Sequence, residues 1–226
     1  MVPRELLDTA SLPGGGTLRL LRRGDEYSIM LGASELMNSR KSGSEEALAG
    51  LAAARLADRR EPRVLIGGLG MGFTLRAALA AFGADAEIVV AEIVPAVIEW
   101  AEGPLAHLFA DSLDDPRVRI EAADVASLIR PGAQWDAILL DVDNGPDGLT
   151  VESNDGLYTR AGLAAARAAL RPGGVLAVWS AAPSPVFANR LRKAGFGVEE
   201  HVARAARGRG ERHVIWIARL SPVAAP

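Results

Sequence analysis

The chain reads as an α/β protein: a Rossmann-like, doubly wound, mainly parallel sheet with a small β-hairpin and helix in front of it. Three observations predict this. From Arg63 onward, short apolar runs of strand length alternate with longer segments of helical spacing, the pattern of a parallel sheet with helices on both faces. The first apolar run, residues 64–66, stops at a cluster of glycines (Gly67, Gly68, Gly70, Gly72), and helical spacing begins at Thr74. Later strand ends carry acids, Glu92, Asp124 and Asp141, and open α/β sheets bind ligands beyond the carboxyl ends of their strands.

With 226 residues, 49% of them hydrophobic, the chain can bury one ample core. It divides into an extension, residues 1–60, expected to be a lid or a dimer contact, and a cofactor-binding domain, residues 61–226. A net charge of −3 gives no electrostatic reason to expect nucleic acid or an anionic membrane as a partner. The absence of cysteine excludes disulfides and thiolate metal sites and fits a reducing compartment. No apolar run reaches membrane-spanning length, and the first residues lack a signal-peptide core. A cytoplasmic protein is expected.

Taken in order, residues 17–21 and 27–31 alternate as two short strands around the turn Arg22-Arg23-Gly24-Asp25, a hairpin. Residues 35–43 are polar and loop-like. Ser44, Glu45 and Glu46 open a helix, with serine as cap and acids in its first turn, that runs to about Asp58. Glu61-Pro62 closes the extension. Residues 64–66 form a strand buried on both faces, followed by a helix from Thr74 and a second strand over 88–91. A helix over 95–109, a third strand over 118–121 and a short helical turn over 125–129 come next, broken by Pro131-Gly132. Residues 137–140 are the fourth strand. A helix over 159–170 ends at Arg171-Pro172-Gly173-Gly174, read as a stop and a turn. Residues 175–179 are the fifth strand and 186–194 a further helix. Residues 198–202 and 213–218 make an antiparallel pair joined by an arginine-rich loop, and the tail from Ser221 is expected to fray.

The glycine loop admits two readings: a tight strand-to-helix turn, or bare backbone approaching a ligand with the free N–H groups of the next helix behind it. Glu92 is placed to accept hydrogen bonds from a ribose diol, which favours a nucleoside cofactor. No glycine stands three places after Gly70 and no Lys-Ser/Thr pair follows, so neither the dinucleotide fingerprint nor a P-loop is satisfied. A nucleoside without a diphosphate is the better ligand. Asp124 suits an adenine amino group, with the Val125 N–H reaching a ring nitrogen; it also fits as the cap of the helical turn after it, and the two roles coexist. The cluster Asp141-Val142-Asp143-Asn144-Gly145-Pro146-Asp147 is either a turn or a site. As a site it places Asp141 or Asp143 beside a sulfonium centre or an amine whose proton the carboxylate accepts. These acids have no EF-hand spacing, and His107, His201 and His213 lie far apart, so no metal is expected. Arg204, Arg207, Arg209 and Arg212 form a solvated hairpin tip or a clamp for a carboxylate or phosphate.

Several of these residues occur in a familiar combination. The run from Val64 to Gly72 with Thr74-Leu75-Arg76, Ala91-Glu92-Ile93, Asp124, the strand end at Asp141, Leu157-Tyr158 and Leu170-Arg171-Pro172-Gly173-Gly174 resemble the spermidine synthase family, within the class I S-adenosylmethionine-dependent methyltransferase fold. The resemblance covers most of the chain. It implies that Gly67, Gly68, Gly70, Met71, Glu92 and Ile93 hold the sugar and amino-acid part of an S-adenosylmethionine-type cofactor. It also implies that Asp124 and Val125 hold adenine, that Asp141 matches the family's catalytic carboxylate, and that the chain forms a homodimer. Asp143 and Tyr158 are expected near the acceptor.

Three departures set the expected reaction. Members that transfer aminopropyl groups carry an aspartate where this chain has Met71. The second of their two aspartates after the fourth strand is displaced here, to Asp143-Asn144. Gly43-Ser44-Glu45-Glu46 stands roughly where their Tyr-His-Glu element belongs. A diamine pocket needs carboxylates to offset desolvation of two charges. Methyl transfer from S-adenosylmethionine to a small-molecule acceptor is therefore the leading expectation. Aminopropyl transfer from decarboxylated S-adenosylmethionine is the second, a non-catalytic cofactor-binding domain the third, and an NAD-dependent dehydrogenase the weakest.

Overall fold

The structure, a computed structural model, describes residues 2–142, 145–146, 156–206 and 209–220. Strands β1 (Glu5–Ser11), β2 (Thr17–Arg23), β3 (Glu26–Leu31) and β4 (Ser34–Asn38) form an antiparallel sheet in chain order. The expected hairpin is its centre. The outer strands were not expected, and both lack a clean apolar alternation. β1 is mostly exposed. β4, expected as loop, holds its polar residues by pairing: Asn38 Nδ2 donates to Ser28 Oγ at 3.2 Å, and Ser28 Oγ donates to Glu35 Oε2 at 2.9 Å. The indole N–H of Trp100 donates to Asp8 at 2.7 Å and ties this sheet to the larger domain.

Helix α1 (Gly43–Ala54) follows, shorter than expected. Its N-cap is Ser42, without a side-chain capping bond. The predicted cap, Ser44, lies inside the first turn and is buried. Leu48, Ala49 and Ala52 are fully buried, and α1 lies on the main sheet beside the helix that follows the glycine loop.

That main sheet has seven strands. They are β5 (Arg63–Gly67), β6 (Glu87–Glu92), β7 (Val118–Ala122), β8 (Trp135–Leu140), β9 (Leu170–Ser180), β10 (Gly197–Ala206) and β11 (Arg209–Arg219), in the order β10-β11-β9-β8-β5-β6-β7. β5 to β9 run parallel, while β11 is antiparallel to both β9 and β10. The helices are α2 (Phe73–Ala81), α3 (Pro95–Glu102), α4 (Ala106–Phe109), α5 (Val125–Leu128), α6 (Arg160–Ala169) and α7 (Pro185–Lys193). β5 pairs with β6 on one side and β8 on the other, so the chain reverses its winding at the glycine loop, where doubly wound sheets open a crevice.

Side chains alternate between two buried faces. Val64, Ile66, Ile88, Val90, Ala137 and Leu139 pack towards α1, α2 and α3, while Leu65, Val89, Ile138, Leu140 and Leu176 pack with residues of α6 and α7. No helix among the described residues is long and apolar enough to cross a membrane.

Three expectations are corrected. The helix over 95–109 is two helices, because Pro104 follows Gly103 and has no N–H to continue the ladder. Arg171 to Gly174 lies inside β9, where the register against β8 shifts and Gly173 takes φ 76°. It is a bulge, the other use of a glycine at positive φ. The expected loop between the last two strands is largely ladder, with Arg204 opposite Arg212. Residues 207–208 and the tail from Ser221 lie outside the described residues.

At the amino end of the central strand β8, away from the crevice, Asp136 is fully buried between two arginines. Arg171 Nη1 donates to its Oδ2 at 2.8 Å and the Arg63 N–H to the same oxygen at 2.9 Å. Arg59 Nε stands 3.2 Å from Oδ1 but is not aligned for a hydrogen bond. Removing a partner from a buried ion pair leaves uncompensated charge. Asp136→Ala is therefore expected to lower unfolding free energy by on the order of 3 kcal/mol, read from urea denaturation midpoints, without moving ligand affinity.

Candidate active site

Beyond the carboxyl ends of β5, β6, β7 and β8 lies an open cleft of about 1030 Å³. Its floor is the glycine loop and the strand ends. Leu12, Leu18, Ile29, Leu36 and Met37 of the extension make the opposite wall. The loop is tightly built. The Gly68 N–H donates to the Ala91 carbonyl at 2.9 Å and the Asp141 N–H to the Gly67 carbonyl at 3.1 Å, so three strand ends are laced together. Gly68 has φ +92°, and a Cβ there would stand 2.5 Å from the Asp141 carbonyl oxygen. At Gly70, φ +50°, a Cβ would lie 2.8 Å from the Met37 methyl. At Gly68 the backbone contact requires glycine, and at both positions the positive φ favours it.

Glu92 is buried, yet both of its oxygens are engaged: the Leu69 N–H donates to Oε2 and the Val94 N–H to Oε1, each at 2.9 Å. Burial pushes its carboxyl above the ordinary range, and these backbone donors work in the other direction. The Gly70 and Ile93 backbone groups add to that opposing pull, so Glu92 faces the cleft as an acid surrounded by backbone donors. Asp124 caps α5 by accepting from the Ala126 N–H at 2.8 Å, and it lines the cleft together with Val125.

Asp141 holds the centre. Thr74 Oγ1 donates to its Oδ2 at 2.5 Å. The residue keeps a strip of surface on the cleft, but its carboxyl is packed deep among protein atoms. Desolvation first, and the nearby Glu45 charge second, push it up to about 7, against the Thr74 hydrogen bond. Glu45 comes from the first turn of α1 and borders the same cleft. Burial raises its carboxyl too, while Ser44 Oγ, donating to Oε2 at 2.7 Å, opposes the rise.

Of the residues the sequence singled out, Gly68, Gly70, Glu92, Ile93, Asp124, Val125 and Asp141 line the cleft. Gly67 and Met71 lie behind it. Met71 is fully buried, with its N–H donating to Met37 Sδ at 3.1 Å. Tyr158 is buried in the core beneath the sheet, edge-on to Phe187, and its hydroxyl donates to the Val142 carbonyl at 3.3 Å. Asp143 lies outside the described residues. Sequence reasoning missed Glu45, Met37, Thr74 and Trp179 as site residues. The one available signal was the position of Gly43-Ser44-Glu45-Glu46 in the leader.

No family model matches the chain. It is 35% identical over 145 residues to polyamine aminopropyltransferases of Mycobacterium tuberculosis and Mycobacterium bovis. That match takes in 60% of this chain but only 27% of the relatives' length. Among solved structures, spermidine synthase from Thermotoga maritima superposes with a TM-score of 0.74 at 19% identity, covering 95% of this chain and 72% of that one. A spermidine synthase bound to the transition-state analogue AdoDATO gives 0.76 at 20% identity, covering 95% and 73%. A probable spermidine synthase from Corynebacterium glutamicum gives 0.63 at 14% identity, covering 97% and 80%. The chain is similar to spermidine synthases in fold. Its architecture is the class I methyltransferase fold, as the sequence implied. The names of these relatives speak for the second expected reaction, aminopropyl transfer, and lend nothing to methyl transfer.

A central acid at this pKa carries a stability signature. The folded-state pKa of Asp141 is raised, so its contribution is fully present below the unfolded value of 3.8 and is lost as pH rises through about 7. Asp141→Asn should therefore leave stability near pH 4 unchanged. At pH 8 the variant should be more stable by on the order of 1–3 kcal/mol, the upper part of the shift being discounted for water in the cleft. Thermal unfolding at the two pH values checks it.

Proposed function

We propose that the chain is a spermidine-synthase-like transferase that binds decarboxylated S-adenosylmethionine and passes its aminopropyl group to a small amine. One observation carries the choice of donor: among the described residues lining the cleft there is no lysine, arginine or histidine, while Glu45, Glu92, Asp124 and Asp141 are all there. Nor does the sequence from Asp141 to Thr159, which follows β8, contain a cationic residue. An S-adenosylmethionine carboxylate entering this cleft would meet acids and no cation. The decarboxylated compound brings only positive charge, and burying charge is tolerable only where it is paired.

In this reading Glu92 accepts from the ribose hydroxyls and Asp124 from the adenine amino group. Asp141 and Glu45 face the reacting centre. The acceptor amine attacks the carbon next to the sulfonium, a C–N bond forms, the C–S bond breaks and methylthioadenosine leaves. The proton lost by the amine goes to the acid pair. A carboxylate with a pKa near 7 accepts that proton at neutral pH without holding it permanently. Apolar walls from Leu12, Leu36, Met37 and Trp179 flank the same spot.

The reading extends to a homodimer, supported by apolar Val2 and Leu6, which lie exposed at the outer edge of the extension, and to a cytoplasmic setting, supported by the absence of cysteine. Calorimetric titration tests the donor. Decarboxylated S-adenosylmethionine is expected to bind at least about tenfold more tightly than S-adenosylmethionine, and an amine panel should yield the aminopropylated product. Equal or tighter binding of S-adenosylmethionine, with methylated product, would overturn the proposal.

A further inference from the structure

Behind the cleft lies a second cavity of about 540 Å³, lined by Glu35, Asn38, Lys41, Ala181, Glu211 and His213. Leu36, Met37, Glu45 and Trp179 border both spaces and form the partition between them. Lys41 pairs with Glu211 at 3.4 Å, both well exposed, so this cavity opens towards solvent. Through the partition runs a short string of side chains. Ser44 Oγ stands 2.7 Å from Glu45 Oε2 and 2.8 Å from His213 Nδ1. Ser44 is fully buried, and the His213 ring packs edge-on against Trp179 at 4.7 Å.

A hydroxyl has one proton to give, so this string has two complementary arrangements. With Glu45 ionised, Ser44 donates to the carboxylate and accepts from His213 Nδ1–H. With Glu45 protonated, Glu45 donates to Ser44, Ser44 donates to Nδ1, and the ring proton sits on Nε2. We infer that Ser44 and His213 form a proton exit from the acid pair: a proton taken from the acceptor amine leaves through Glu45, Ser44 and His213 to the second cavity. The steps balance. With the ring in its Nε2–H tautomer, Glu45 takes the amine proton and gives it to Ser44 Oγ, Ser44 gives its own proton to Nδ1, and Nε2 releases one to water in the second cavity. Exchange with that water then returns the ring from Nδ1–H to Nε2–H. One proton has crossed, and each group has the proton count with which it began.

The surroundings suit this role. Lys41, Glu35 and Glu211 face His213 from the second cavity, and Glu45 faces it from α1. Burial, ahead of the opposing pull of Glu211, holds the imidazole below its ordinary pKa, so at neutral pH it is uncharged and free to change tautomer. Glu46 is the other charge acting on Glu45, and Glu45 in turn acts on its partner acid Asp141. Ser44 is a positioning residue throughout, since it touches neither donor nor acceptor.

The inference rests on the proposed acceptor site, so its test is chosen to stand without turnover. In ligand-free protein labelled with ¹⁵N-histidine, the ring nitrogens of His213 are followed between about pH 5 and pH 9. The expected result is Nδ1–H at the alkaline end, changing to Nε2–H as Glu45 takes its proton, and loss of that change in Ser44→Ala. A His213 tautomer that stays constant across the range in the wild-type chain overturns the relay. A kinetic arm follows: Ser44→Ala and His213→Phe, which keeps a ring against Trp179, are each expected to lower kcat on the order of tenfold with KM unchanged. Added imidazole should restore turnover in His213→Phe. Full kcat in both variants also overturns it, since Glu45 would then be handing its proton directly to water in the second cavity.

Discussion

Two carboxylates, Asp141 and Glu45, face one apolar cleft in which the described lining offers no cation, and that is the constraint on which the site depends. Desolvation and mutual repulsion both disfavour the state in which each is ionised. The pair therefore holds a proton under conditions where isolated acids would not, or it holds a cation from outside. A cationic ligand relieves this cost and an anionic one adds to it. The proposed donor preference, the expected stability profile and the proposed use of the pair as a proton acceptor all follow from that single electrostatic fact.

The fold supplies the pair from two distant places. Asp141 stands where β8 ends, beside the point at which the winding of the sheet reverses, and its own N–H is fixed to Gly67. Glu45 arrives on α1, which the small antiparallel sheet feeds onto the main one. Gly68 has no side chain because the Asp141 carbonyl fills the space, so the loop and the acid are set by one contact. The extension is thus part of the site as much as a cover for it: Glu45, Met37 and Leu36 line the cleft and also separate it from the space where His213 sits.

The large sheet was legible because its strands are buried on both faces and its helices repeat at a different period, so residues 64–66, 88–91 and 137–140 fell inside β5, β6 and β8. Acids at strand ends were legible for the same reason: Glu92, Asp124 and Asp141 interrupt apolar runs. What stayed hidden was contact across long sequence separations. Nothing local in Ser44-Glu45 distinguishes an acidic first turn of a helix from an acid aimed into a cleft, and His213 reads only as a strand residue until β11 lies beside α1. Strand β4 was hidden because its polar residues satisfy one another, which composition alone reports as loop.

Direct titration of the Asp141 side chain by carboxyl ¹³C NMR, in the wild-type chain and in Glu45→Gln, goes straight to the central claim. A midpoint near 7 that falls clearly when the Glu45 charge is removed is the predicted result. A midpoint near the ordinary aspartate value of 3.8 in both proteins would contradict it, because the two acids would then be independent, solvated groups with no shared charge to place.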